Sequence, residues 1–284
     1  MKILRRSLFF VLPVLGPLFA HADPTIEIYS VPPTEVVNTD YTVKVNGQAV
    51  PVIESGHVGN PSDPSGRRVY AHFSFSGEVE IEVTGLNNHA LLPVEFGIVP
   101  SEQTSNRIVF TIDRPRYMIL SRKDSGGTTE DALFLFADPI DPRAPNPAAP
   151  EVLNYTDFTG SISAAIIEVA NRQDLDVLYI PPGTYENQGV IDMQSDMTLY
   201  VAGGAKINNG VVRFKDVENA DLRGRGVLEF DRSGSNDFSF GIYTMHSHHI
   251  RIEGLIARTA SNWNTVPRLS THVEILYLKA LNSE

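Results

Sequence analysis

The chain has 284 residues, 42% hydrophobic and 20% charged, with 21 glycines, 19 prolines and no cysteine. This is globular material enough for one large domain or two smaller ones, and it excludes disulfides, a thiol nucleophile and a cysteine-ligated metal. The net charge is −11 with no basic cluster, which excludes the electrostatic footprint of a nucleic-acid binder.

Residues 1–22 have the form of a signal peptide. Lys2, Arg5 and Arg6 make a positive end, Ser7 to Phe19 an apolar run, and Ala20-His21-Ala22 a small-x-small cleavage site before Asp23. The run is interrupted by Pro13, Gly16 and Pro17 and is short for a bilayer span, so it reads as a cleaved leader and not an anchor. The expected product is secreted or periplasmic, with no membrane association after cleavage. Losing the three positive charges of the leader, which has no acidic residue, takes the net charge from −11 to −14. A field this negative disfavours an acidic polymer as substrate.

Residues 23–137 alternate apolar and polar positions in runs of strand length. "TIEIYS", "YTVKVNG", "RVYAHFSFSG", "EVEIEVTG", "RIVFTID", "RYMILSR" and "ALFLFADP" are each bounded by Gly, Pro, Asn or Asp. Seven or eight such strands at short spacing predict an antiparallel, immunoglobulin-like β-sandwich. In "EVEIEV", Val79, Ile81 and Val83 face one side and Glu78, Glu80 and Glu82 the other. Residues 138–153 follow as a proline-rich extended linker. Its five prolines, at 139, 142, 145, 147 and 150, forbid a helix and cannot donate to a sheet ladder.

From residue 154 to 284 the pattern changes. Ile162, Ala165, Ile166 and Val169 recur at helical spacing and predict a short amphipathic helix. An apolar strand stopped by Pro181-Pro182-Gly183 comes next. Then "DMTLYVAGGAKI", "NADLRGRGVLEF", "HHIRIEGLIART" and "THVEILYLKALN" repeat one shape: a polar turn, alternating apolar positions, a small corner and another apolar pair. Leu199 and Leu222 lie 23 positions apart, as do Ile252 and Ile275, and His249 and His272. Leu222 and Ile252 lie 30 apart, the excess sitting in "DRSGSNDFSF". A repeat of this length with β-branched residues and glycine corners predicts a parallel β-solenoid, in which the helix caps the N-terminal end. The fixed Leu/Asn pattern of leucine-rich repeats is absent. The last unit, "VEILYLKALNSE", carries no cap, and the chain reads as an N-terminal fragment.

The ordered set "IPPGTY", "LYVAGGAKI", "LRGRGVLEF", "HIRIEGL", a Trp and "VEILYLKALNS" resembles the right-handed parallel β-helix glycoside hydrolases, of the polygalacturonase and dextranase/isopullulanase type. The resemblance covers Asn154 to Glu284. The dextranase group also carries a β-sandwich ahead of its helix, as here. It implies an all-β chain: a sandwich followed by a right-handed, pectin-lyase-like parallel β-helix, incomplete at its C-terminus. It also implies inverting hydrolysis of an O-glycosyl bond in a polysaccharide by paired carboxylates, with no cofactor. Those carboxylates belong in the family to Asn-x-Asp-Gly and Asp-Asp segments, which this sequence does not reach. The chain alone is therefore expected to be inactive, and a monomer. A neutral glucan is favoured over polygalacturonate on charge. A β-helix lyase and a non-catalytic carbohydrate-binding β-helix stay open as alternatives.

Within the chain, Glu229 and Asp231 are the fallback catalytic pair. They share one strand face at a Cα separation of about 6.6 Å, within the range of about 6.5–9.5 Å that an inverting pair needs. Trp263, the single tryptophan, is either a sugar-stacking platform or a core anchor. His246 and His248 could share a face, but no further ligand is evident, so no metal site is expected. Arg251 and Glu274, one repeat apart, are expected to pair across neighbouring coils.

Overall fold

The computed structural model describes residues 23–57, 67–123, 129–187, 189–230, 240–260 and 263–281. The leader, Asp231 and residues 282–284 lie outside this set.

The N-terminal strands form two packed sheets. One runs Gln48–Val50, Thr42–Val45, Val79–Thr84, Arg107–Ile112 and Glu102–Gln103, antiparallel throughout. The other is centred on Arg67–Ser76, with Thr25–Ile28 and Val52–His57 sharing one edge and Thr129–Pro139 on the other. Arg116–Lys123 and Ala90–Leu92 complete it. The Thr129–Pro139 strand pairs in parallel with Arg67–Ser76, which corrects the fully antiparallel expectation. Alternation alone cannot tell the direction of a neighbouring strand. Val79, Ile81 and Val83 are buried between the sheets as their spacing requires, with Val43, Phe73, Phe110 and Leu133.

The strand that ends the sandwich continues to Pro139, and the first solenoid strand begins at Val152. The proline-rich segment between them is pinned, not a free tether. Asp141 turns it by accepting from the Arg143 and Ala144 amides, and Arg143 Nη2 donates to Glu253 at 2.5 Å.

The solenoid has three parallel sheets, visited in turn by each coil. The first runs Val152–Asn154, Val177–Ile180, Thr198–Val201, Glu218–Gly224, His248–Glu253 and Thr271–Leu276. The second runs Gly183–Glu186, Ala205–Asn208, Val227–Glu229, Ile256–Arg258 and Lys279–Leu281. The third runs Ile191–Asp192, Val212–Lys215, Phe240–Met245 and Trp263–Arg268. Leu178, Leu199, Leu222 and Ile252 are direct register partners and fully buried, forming one inward ladder. Ile275 continues the register on the outermost described rung and is 40% exposed. The helix (α1, Ile162–Asn171) buries Ile162, Ala165, Ile166 and Val169 against the first coil, and Ser161 Oγ caps it by accepting from the Ala164 amide at 3.1 Å.

The polar residue at the start of the last four first-sheet strands has a backbone reason. Asp196, Asn219, His249 and His272 all adopt left-handed φ, between 53° and 58°. Asp, Asn and His tolerate that region better than other residues with a Cβ. Stacked across coils, they bond or pack: Asn219 Nδ2 donates to Asp196 at 2.9 Å, and the His249 and His272 rings stack at 4.7 Å.

Because Leu222 is covered from both sides by Leu199 and Ile252, Leu222→Ala leaves a cavity that the fixed rungs cannot close. The expected loss is about 2–5 kcal/mol in urea unfolding.

Candidate functional site

The third sheet turns Ile191, Val212 and Ile242 inward and Asp192, Arg213 and Tyr243 outward. Arg213 Nη2 donates to Asp192 at 2.6 Å, and its Nη1 to the Tyr243 hydroxyl at 3.4 Å. Beside this polar column lies an aromatic pair. Phe240 and Trp263 are register partners, with ring centroids 5.4 Å apart at 31°, and Tyr243 meets Phe240 edge-on at 6.0 Å. Trp263 is 58% exposed, so it is not a core anchor. Its indole presents an apolar face to solvent, supported from beneath by Phe240. A flat aromatic of this kind can stack on the C–H face of a sugar ring. Phe240 was not singled out from sequence, although it stands 23 positions before Trp263 and the repeat therefore places it directly below. The Asp192–Arg213 pair carried no such signal, because its spacing matches no repeat seen from sequence alone.

Glu229 sits on the outer side of the second sheet, in register with Asn208 and Arg258. It edges an open cleft of about 450 Å³ that Glu186, Asn208 and Thr259 also line. Its carboxylate pairs with Lys206 and accepts from Arg258 Nη2 at 3.0 Å. The same two cations hold Glu35, which arrives from the sandwich with its side chain 2% exposed: Lys206 Nζ lies 2.8 Å away, and Arg258 donates as well. Two cations thus face two carboxylates. Burial acts to raise the Glu229 pKa, but Arg258 and Lys206 outweigh it and hold the carboxyl below its ordinary range. A general acid at neutral pH needs the opposite shift. Its partner in sequence, Asp231, lies outside the described residues.

The histidines sit at coil edges. His248 Nδ1 is 2.7 Å from the Thr271 hydroxyl, and His246 Nδ1 lies 3.7 Å from the Asp216 carboxylate. Among the described residues, no three His, Cys, Asp or Glu side chains are grouped to hold a metal ion. Arg251 Nη1 donates to Glu274 at 2.7 Å, the cross-coil pair that their spacing required. Asp221 precedes them in the same column, and its pKa is raised by burial against the pull of Arg223, Arg143 and Arg251.

No protein-family profile matches the chain, and no curated protein matches it. Solved structures do. Dex49A from Penicillium minioluteum is similar with a TM-score of 0.63 at 16% identity, over 90% of this chain and 60% of that one. The Family 28 exopolygalacturonase of Yersinia enterocolitica matches with a TM-score of 0.36 at 12% identity, over 92% of this chain and 57% of that one. The chain thus spans 60% of the length of Dex49A. The likeness to Dex49A takes in sandwich and solenoid together, and the fold is a right-handed parallel β-helix behind a β-sandwich.

Glu35→Gln removes a buried charge that two cations share. A loss of about 3–5 kcal/mol in denaturant unfolding is expected, the cost of leaving a buried ion without its partner.

Proposed function

We propose, from a fold shared with right-handed β-helix glycoside hydrolases, that this chain serves hydrolysis of a polysaccharide and that Trp263 contacts the glycan. The observation that carries the reading is the exposed Trp263 ring, backed by Phe240 at the start of the third-sheet strands. Successive rungs stand about 4.8 Å apart, a spacing on which a glycan chain can lie across several coils. Paired carboxylates performing inverting hydrolysis is the reaction class that the sequence resemblance supports, and that chemistry needs no cofactor. The strongly negative charge favours a neutral glucan over polygalacturonate, since an acidic polymer would be repelled from the surface. The leader-like residues 1–22 support export to the periplasm or the medium, where such polymers are found.

The chemistry of Glu229 bears on the division of labour. A carboxylate held ionised between Lys206 and Arg258 neither gives up a proton at neutral pH nor readily accepts one. Its present partners also hold Glu35 of the sandwich, which makes it one member of the ion cluster at the seam. The 284-residue chain is therefore expected to bind glycan without cleaving it.

The test is retention of the purified chain in gels containing dextran, pullulan or polygalacturonate, with reducing ends and unsaturated products assayed in parallel. Retention by dextran or pullulan is expected, and Trp263→Ala should weaken it about tenfold, or ~1.4 kcal/mol. No retention by any of the three polymers would overturn the reading. Unsaturated products would replace hydrolase by lyase. Sustained reducing-end release would return catalysis to this chain, with Glu229→Gln and Asp231→Asn the first variants to assay.

A further inference from the structure

The sandwich docks on the outer face of the second sheet, and the centre of that seam is ionic. His72 and Asp138 belong to the sandwich; Arg225 and Lys279 stand at the corners between the first and second sheets. All four side chains are buried, the most accessible being His72 at 6%. Asp138 Oδ2 accepts from His72 Nε2 at 2.8 Å and from Lys279 Nζ at 2.5 Å, and lies 3.5 Å from Arg225 Nε. Tyr117 donates to the other carboxylate oxygen at 2.5 Å. One carboxylate therefore answers two fixed cations, and the imidazole completes the set as a neutral donor.

We propose that docking of the sandwich on the solenoid is coupled to protonation of His72, so that acid opens the seam: a proton on this imidazole would set a third positive charge against one carboxylate. The groups facing His72 come from each element packed on it. They are Asp138 on the neighbouring strand, Lys279 and Arg225 from the solenoid, and Tyr29, whose ring lies 5.0 Å away and whose hydroxyl donates to Ser74. Glu27 and Asp141 act at longer range through Tyr29 and Arg225. The neighbouring Glu35–Lys206–Arg258–Glu229 cluster is balanced, two charges of each sign.

The direction follows from which side each influence belongs to. Burial first, then Lys279 and Arg225, lower the His72 pKa to about 4, against the pull of Asp138. Both cations, and part of the burial, are supplied by the solenoid, while Asp138 and Tyr29 stay beside His72 when the seam opens. Opening the seam therefore moves the His72 pKa back up towards its ordinary value of 6.5. Docking is complete above that value and weakens as pH falls towards 4, by up to about tenfold in equilibrium constant per pH unit. Burial lowers Lys279 to about 8 against Asp138, and Lys279, His72 and Arg225 hold Asp138 low against burial. Both have the same sign as His72, releasing protons on docking. Lys279 acts only above about 8 and Asp138 only below its ordinary 3.8, so His72 sets the slope between. Glu229, buried but held low by Arg258 and Lys206, keeps both cations beside it on the solenoid when the seam opens, so it does not contribute to the slope. Tyr29, Tyr70 and Tyr117, raised by burial, act only in strong alkali.

Hydrogen exchange followed by mass spectrometry on the full chain, corrected for intrinsic rates, tests this between about pH 7.5 and about pH 4.5. Peptides covering residues 70–75, 202–206 and 254–257 should gain exchange by up to about tenfold per pH unit below 6.5, while residues 220–223 of the inner ladder stay level. His72→Gln should flatten the response to less than about twofold across the range. In the unaltered protein the His72 imidazole should titrate near 4 by NMR, a measurement that does not depend on how the variant folds. A His72 midpoint at or above 6.5 in the docked protein, seam exchange that ignores pH, or an unchanged slope in His72→Gln overturns the proposal.

Discussion

Each rung of the solenoid can bury its apolar face only by lying in register on the rung before it. Leu178, Leu199, Leu222 and Ile252 meet that requirement in one column, and the rest of the domain follows from it. Once the inner ladder is in register, the outer residues of successive coils are brought into columns of their own at the spacing of neighbouring strands. Like side chains then stack, as Tyr179 does on Tyr200 with the Arg223 guanidinium next above it. Unlike charges alternate, as in Asp221, Arg251 and Glu274. The Phe240–Trp263 pair, with Trp263 exposed, is one more such column.

A second constraint is the close approach of the sandwich. A Cβ on Gly203 would lie 2.0 Å from the Tyr29 ring, and one on Gly204 would lie 2.3 Å from the Ser30 hydroxyl. This corner of the repeat is small for that reason, while Gly224, Gly226 and Gly254 are small because neighbouring coils close on them. The seam is partly apolar, with Ile53, Tyr70 and Phe136 meeting Val227, Ile256 and Leu281, and partly ionic. Burying so many charges is costly unless every one has a partner. Here each carboxylate is shared: Asp138 by Lys279, Arg225 and His72, and Glu35 by Lys206 and Arg258. Such an interface fixes orientation more than it adds affinity, since a rotated or shifted sandwich would strand a buried ion.

These two constraints separate the solenoid's faces by task. The second sheet is committed to the sandwich, and Glu229 is drawn into that commitment. The first sheet is crossed by the proline-rich segment through Arg143 and Asp141. On the third sheet Trp263 is 58% exposed and rests only partly on Phe240, an arrangement that packing does not explain. Trp263 was visible in the sequence as a lone tryptophan, but its exposure was not, because burial of a strand residue depends on which face a neighbouring element covers. Glu229 was visible as half of a strand-face pair. Its partners Lys206 and Arg258 lie 23 and 29 positions away, on the coils to either side, but Glu35, which shares both cations, lies 194 positions away, where no local pattern reaches.

What the sequence determined by itself is everything governed by local periodicity. The alternation in "EVEIEV", the helical spacing from Ile162 to Val169, the repeat of 23 and the Arg251–Glu274 pair are all present in the folded chain as read. They survive because each depends on one neighbour at a fixed offset along the backbone. Only the tertiary structure decided which outer face the sandwich covers, that one pair of its strands runs parallel, that the proline-rich segment is clamped, and that Glu229 serves an ion cluster. Those outcomes depend on charges and rings brought together from distant parts of the chain. Their energies come from burial and pairing across the seam, and neither exists until both domains have folded.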